Sequence, residues 1–185
     1  MKGYTRQDPG FSLCGLHCAL CPMHLGGYCP GCGGGEGHQS CAFIRCGIER
    51  GVKEHCTECA AFPCERFDTA MAFDSFVPHR HMVYDLQRRQ RDAAAFAGET
   101  AHRAEILRTL LAGYNDGRHK TLFCTAASLL EIQALERVMA QLKAAPLQPE
   151  TAKEKAAQAA ALLQDEAKRG SLSLRLNQRP RPPRA

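Results

Sequence analysis

Ten of the eleven cysteines of this 185-residue chain fall between Cys14 and Cys64. Their spacings are Cys14-x3-Cys18-x2-Cys21, Cys29-x2-Cys32, Cys41-x4-Cys46 and Cys56-x2-Cys59-x4-Cys64. A C-x-x-C pair lets two thiolates reach one ion from a tight turn, and Pro22, Pro30, Gly31 and Gly33 beside these pairs supply the backbone geometry. Cys18, Cys21, Cys29 and Cys32 would complete one tetrahedral four-thiolate zinc site, and Cys41, Cys46, Cys56 and Cys59 a second. That division leaves Cys14 and Cys64 spare, and it is one of several interleaved pairings. All ten are therefore candidate metal ligands.

Zinc is the first expectation for the ion. Two knuckles joined by a short loop are zinc-like, whereas three close cysteines with a remote fourth suit an iron–sulfur cluster, and Cys14, Cys18 and Cys21 before Pro22 have that form. The same triplet matches the cluster motif of radical S-adenosylmethionine enzymes, but those alternate strands with helices and this chain has no strand pattern. His17, His24, His38 and His55 lie among the thiols and could replace a cysteine. Because thiolates already exceed the needs of two sites, they are expected to be exposed polar residues in glycine-rich loops. Gly33-Gly34-Gly35-Glu36-Gly37 lacks the Lys-Ser/Thr and preceding strand of a phosphate cradle and is expected to be a flexible loop.

The run Cys14-Gly-Leu-His-Cys18-Ala-Leu-Cys21-Pro22, then Cys29-Pro-Gly-Cys32, Cys41 to Cys46-Gly-Ile-Glu-Arg-Gly and His55-Cys56-Thr-Glu-Cys59-Ala-Ala-Phe62-Pro63-Cys64-Glu65 resembles a cysteine-rich prokaryotic family catalogued as domain of unknown function 3795. The resemblance covers about residues 11–69, with weaker compatibility to about 145 and none beyond. It implies a metal binder, with zinc the ion commonly inferred; the anaerobic sources of many members keep iron–sulfur open. No activity is established for that family, so the resemblance implies none.

Composition points the same way. There are 12 aromatic residues and no Trp, against a β-sandwich built on aromatic strands. No secretory leader pattern opens the sequence, and no window approaches a membrane-spanning length, so the expectation is a cytoplasmic protein. In a reducing compartment a cysteine framework serves metal or catalysis more often than disulfides. Residues 1–145 hold 16 Lys and Arg against 15 Asp and Glu, so the net charge of +5 is largely a property of the C-terminal end. Nucleic-acid binding is not implied except through that basic tail, and an unknown protein partner is left open.

These observations set out three parts. Residues 1–69 form a cysteine-rich module carrying 12 of the 16 glycines, too poor in large apolar residues to fold without a staple, which metal coordination would supply. Residues 70–145 form a helical part packed on it. Helices are expected near Pro78–Ala97 and over Thr100–Tyr114, where Ala104, Leu107, Leu110, Leu111 and Tyr114 recur with helical period before the Asn115-Asp116-Gly117 turn. Another helical run follows from His119, with a capping box at Ser128 and Glu131 and a stripe of Ile132, Leu135, Val138, Met139 and Leu142. Residues 146–185 comprise a linker marked by Pro146 and Pro149, an Ala-rich helix over Thr151–Arg169 ended by Gly170, and a disordered basic Pro/Arg tail that adds nothing to the core. The fold class expected is α-dominated, with a metal-stapled N-terminal module and little or no sheet.

Cys124 stands apart from the cluster. A place near a helix N-terminus beside His119 and Lys120 would lower its pKa and make it a nucleophile or a late metal ligand, whereas burial would make it a small apolar core residue. No Ser/His/Asp order or paired-carboxylate motif names a reaction. The reading is therefore a metal-binding interaction or regulatory module, with an iron–sulfur redox protein and a thiol enzyme or metal-handling protein as alternatives.

Overall fold

The computed structural model describes residues 3–37, 40–144 and 151–180. The linker prolines Pro146 and Pro149, the last residues of the tail and His38 lie outside these. Among the described residues the fold is α-dominated, and the one β feature is an isolated antiparallel bridge between Thr5 and Gly34. None of its helices is long and apolar enough to cross a membrane.

In chain order the helices are α1 (Pro22–Leu25), α2 (Ala42–Glu49), α3 (Arg66–Met71), α4 (Met82–Arg91), α5 (Ala93–Gly113), α6 (Lys120–Leu129), α7 (Ile132–Ala144) and α8 (Ala152–Arg169). Helix α5 begins a full two turns earlier than the Thr100 start because Asp92 caps it, its carboxylate accepting Ala95 N–H at 2.9 Å. Asn115 and Asp116 then turn the chain, the Asn115 side chain accepting Gly117 N–H at 3.0 Å. Ser128 caps nothing. It lies in the last turn of α6 and its hydroxyl donates back to the Cys124 carbonyl at 2.9 Å, so α7 starts without it. A capping box does form at the start of α8, between Thr151 and Glu154.

The largest core joins α5, α6, α7 and α8 through Leu107, Leu110, Phe123, Leu135, Val138 and Leu163, with Leu20 reaching in from the cysteine-rich segment. The alanines of α8 decide its place: Ala156, Ala159, Ala160 and Ala167 are buried, so a thin stripe suffices because small side chains bring the helix close to α6 and α7. The segment after Gly170 departs from the free tail expected of it. Leu172 and Leu174 pack on the same core, Arg80 donates to the carbonyls of Ser173 and Arg175 at 3.1 and 2.9 Å, and Asn177 N–H donates to Asp74 at 2.7 Å. Short alternation of leucines gave no sign of these partners, which come from the loop between α3 and α4.

A second core ties the cysteine-rich segment to the helices. Phe11 and Cys14 pack with Phe67, Met82, Leu86 and Phe96, and the Phe11 and Phe96 rings meet edge to face with centroids 4.8 Å apart. A third, smaller core of Leu13, Cys32, Ile44 and Val52 lies within the segment itself.

Candidate metal centre

Local hydrogen bonding shapes the loops that carry the thiols. Asp8 accepts the backbone N–H of Gly10 and Phe11 at 2.9 and 3.2 Å, an Asx turn that lifts the chain into Ser12. The Ser12 hydroxyl accepts Leu16 N–H at 2.6 Å and lies 3.2 Å from Cys14 Sγ. Further on, Glu58 accepts N–H bonds from Lys53, Glu54 and His55 at 2.9, 3.0 and 2.9 Å, closing the turn that presents Cys56 and Cys59. Partial burial works against the Glu58 charge, but these three donors prevail and hold its carboxyl below the ordinary range.

Arg6 is the crosslink that composition does not reveal. Its guanidinium donates to the carbonyls of Phe11 and Cys32 at 2.8 and 3.1 Å and of Glu54 at 2.6 Å, and sits 3.3 Å from His55 Nδ1. One buried cation thus joins three cysteine-bearing loops that lie far apart in sequence. Gly33, whose carbonyl accepts Arg6 N–H at 3.1 Å, has φ +80° and lies so close to Arg6 that a Cβ there would meet its side chain at 2.7 Å. The start of the glycine run is therefore closely packed rather than slack.

Four of the ten thiols share one space in the fold. Cys46, Cys56, Cys59 and Cys64 line a single cavity of about 120 Å³, floored by Phe43, Phe62 and Phe67, with Arg50 and Arg66 on its wall. Phe43 and Phe62 pack on Phe67 with centroids 5.0 and 5.5 Å away, which makes the floor apolar. Interaction with the Cys46 thiol, followed by the charge of Cys59, holds the Arg50 guanidinium above its ordinary pKa. Cys18, Cys41, Cys56 and Cys59 pack on the small core that includes Cys32, so Cys18, Cys32 and Cys41 adjoin this cavity and are not set apart from it.

Burial pushes the thiols of Cys14, Cys18 and Cys56 up to about 12 and that of Cys32 in the same direction, with neighbouring sulfurs adding to the effect. Such groups are neutral by themselves, and a bound cation is the change that would favour their ionised form. The eleven cysteines are free thiols in this structure. Among the described residues no three His, Cys, Asp or Glu side chains converge so as to hold one ion. The donor set is chemically suited to a thiophilic metal, while the sulfurs stand around walls rather than about a point.

Cys21 and Cys29 do not line that cavity, although the charge of Cys21 bears on Cys18. Cys29 lies in the loop after α1, where its carbonyl is 2.9 Å from His24 Nδ1, and Cys21 lies toward α6, close enough for its charge to bear on Cys124. Cys124 is 1% exposed, and burial raises its pKa to about 12 despite the opposing pull of Lys120. The lowered pKa expected from a helix N-terminus is not found, because the second turn of α6 packs this thiol into the core.

Two of the histidines are buried, contrary to the expectation of exposed loop residues. His17 packs against both the Phe11 and Phe96 rings, with Nε2 3.2 Å from Asp85 Oδ2 and Nδ1 buried without a partner. His55 packs on Phe11, its Nε2 is likewise unpartnered, and burial followed by the charges of Arg89 and Arg6 brings its pKa down to about 4. The aromatic neighbours lie far away in sequence, so local context showed nothing of this.

Comparison of the chain with protein-family models, with curated proteins and with solved structures finds no match.

Proposed function

We propose that residues 1–69 are a thiolate metal-binding module of a cytoplasmic protein that serves as an interaction or regulatory unit. The observation that carries this reading is the convergence of Cys46, Cys56, Cys59 and Cys64, brought from a helix and two turns, on one cavity with an apolar floor and a cationic wall. Soft thiolates select zinc, copper(I) or iron–sulfur centres over hard cations. The apolar rings limit the access of water to a group bound there. Zinc is the ion suggested by the C-x-x-C knuckles and by the resemblance to the family of unknown function.

An iron–sulfur centre is the second reading, favoured by the Cys14-x3-Cys18-x2-Cys21 triplet before Pro22. The test is full-length protein purified without oxygen, assayed for metal, acid-labile sulfide and thiol reactivity. Bound metal with most of the ten clustered thiols protected is the expected result. Ten freely reactive thiols and no metal would remove the proposal.

A further inference from the structure

We infer that the loop of residues 72–80, between α3 and α4, is a docking site for an extended peptide, and that residues 172–177 of a second copy of this chain can occupy it, so that two molecules exchange their C-terminal arms.

The site grips backbone. Arg80 donates to alternate carbonyls of the arm, Ser173 at 3.1 Å and Arg175 at 2.9 Å. At Asn177 the match runs both ways: its N–H donates to the Asp74 carboxylate and its carbonyl accepts Asp74 N–H, each at 2.7 Å. The Asn177 side-chain amide donates to the Ala72 carbonyl at 2.8 Å, and the Arg179 guanidinium lies over the Phe73 ring, 5.5 Å from its centroid. Bonds that do not involve the arm also hold these groups. Asp74 pairs with Arg80 at 3.3 Å and accepts His79 N–H at 2.7 Å, while the His79 ring nitrogens lie 2.8 Å from the Ala70 carbonyl and the Ser75 hydroxyl. Along the arm Leu172, Leu174 and Leu176 are half-buried and Ser173, Arg175 and Asn177 are exposed. This is recognition by strand addition, in which main-chain bonds give affinity and alternate side chains give fit. None of these contacts depends on which molecule supplies the arm.

The link to α8 supplies the way out. Ser171 has φ +51° and is the only residue other than glycine with a positive φ among the described residues. A Cβ disfavours that conformation. Here the chain reverses, Ser171 and Leu172 N–H donating back to the Lys168 and Ala167 carbonyls at 3.0 and 2.8 Å. Moving Ser171 to the ordinary extended region releases this strain and swings the arm away from its own loop with its docking groups intact. Reciprocal exchange then rebuilds the same contacts at two sites and closes a symmetric dimer.

The experiment uses the full chain with a thiol reductant, so that disulfide-linked pairs do not form, and measures mass by analytical ultracentrifugation over a wide range of concentration. The wild type should show a dimer that grows with concentration. Ser171→Pro fixes φ near about −65° and forbids the closed turn, so it should be predominantly dimeric. Ser171→Gly takes the positive φ freely and should weaken the dimer by about tenfold. A second measurement mixes two chains that cannot exchange with themselves. One carries Asp74→Ala, Arg80→Ala and Ser171→Pro and so keeps the arm without the docking loop; the other ends at Gly170 and keeps the loop without the arm. Native mass spectrometry of the mixture should show a heterodimer.

A Ser171→Pro chain that stays monomeric at every concentration would overturn the inference, as would a dimer that survives loss of the arm, since another surface would then hold it. Absence of the heterodimer from two folded chains has the same consequence. Should the shortened chain fail to fold, the opposite shifts of the Pro and Gly variants decide, and equal dimerisation in the two means that the arm does not exchange.

Discussion

Gly15 faces the Met82 carbonyl so closely that a Cβ on it would lie 2.3 Å from that oxygen and 2.9 Å from Leu86 Cγ. This contact presses the first cysteine loop onto α4, and the φ of +92° at Gly15 turns the chain from Cys14 toward Cys18. The thiol-bearing segment and the helices consequently share one packed interface, lined by Phe11, Phe67, Met82 and Phe96.

Gly15→Ala should therefore destabilise the whole protein. A side chain at this φ costs about 1–3 kcal/mol, and displacement of α4 adds a further amount of similar order. Chemical denaturation should show a loss of at least ~2 kcal/mol, as expected when both effects operate. A loss indistinguishable from zero would mean that α4 does not press on this loop.

Arg103 provides a second test, remote from the thiols. Its guanidinium donates to the buried carbonyls of Ala127 and Leu130 at 2.8 and 2.6 Å and pairs with Glu99. It thereby satisfies the last carbonyls of α6, which have no helical partners. Arg103→Met keeps the volume but orphans those carbonyls, and should cost about 3 kcal/mol. Hydrogen exchange should show faster opening at the end of α6; equal protection in variant and parent would refute the capping role.

Cys124 makes a signed prediction in alkali. Its folded pKa of about 12 lies above the ordinary thiol value of 9.0, so the unfolded chain releases this proton first. Stability is fully present below about pH 9 and falls as pH rises toward 12, by about 1.4 kcal/mol per pH unit for one proton. In Cys124→Ala the slope between these limits should be smaller by about one proton. Identical slopes in urea melts across the window would show that this thiol is not buried as described.

Removal of residues 171–185 should lower stability, contrary to what a free tail would do. The truncated chain loses the partial burial of Leu172 and Leu174 and the bonds of Arg80 and Asp74 to this segment. About 2 kcal/mol of lost packing would lower Tm by roughly 4–8 °C in a chain of this size. Calorimetry of full-length and shortened protein measures it, and matching Tm values would return the segment to the status of a free tail.

How much of this was legible in advance depends on the range of the interaction. Helical period and capping residues act over a few positions, so α5, α7, α8 and the Asn115–Gly117 turn could be read from the sequence, and so could the concentration of thiols before Cys64. The α-dominated class followed from the same local signals. Ser128 misled because its capping-box spacing is a local pattern that its place inside α6 overrides, the hydroxyl bonding back to Cys124 instead.

Which thiols share a space was settled only by the tertiary structure. C-x-x-C spacing specifies that two neighbours can turn toward one group, but it leaves open which pair meets which. Packing of α2 and the Cys56 turn against Phe67 brings Cys46 to Cys56, Cys59 and Cys64, and Arg6 ties the Phe11, Cys32 and Glu54 backbones together beside them. The burial of His17, His55 and Cys124 likewise comes from aromatic and helical neighbours far along the chain. Residue types and their intervals thus determined the available chemistry, and long-range packing decided where each group stands, because burial and charge proximity depend on three-dimensional neighbours that no local spacing encodes.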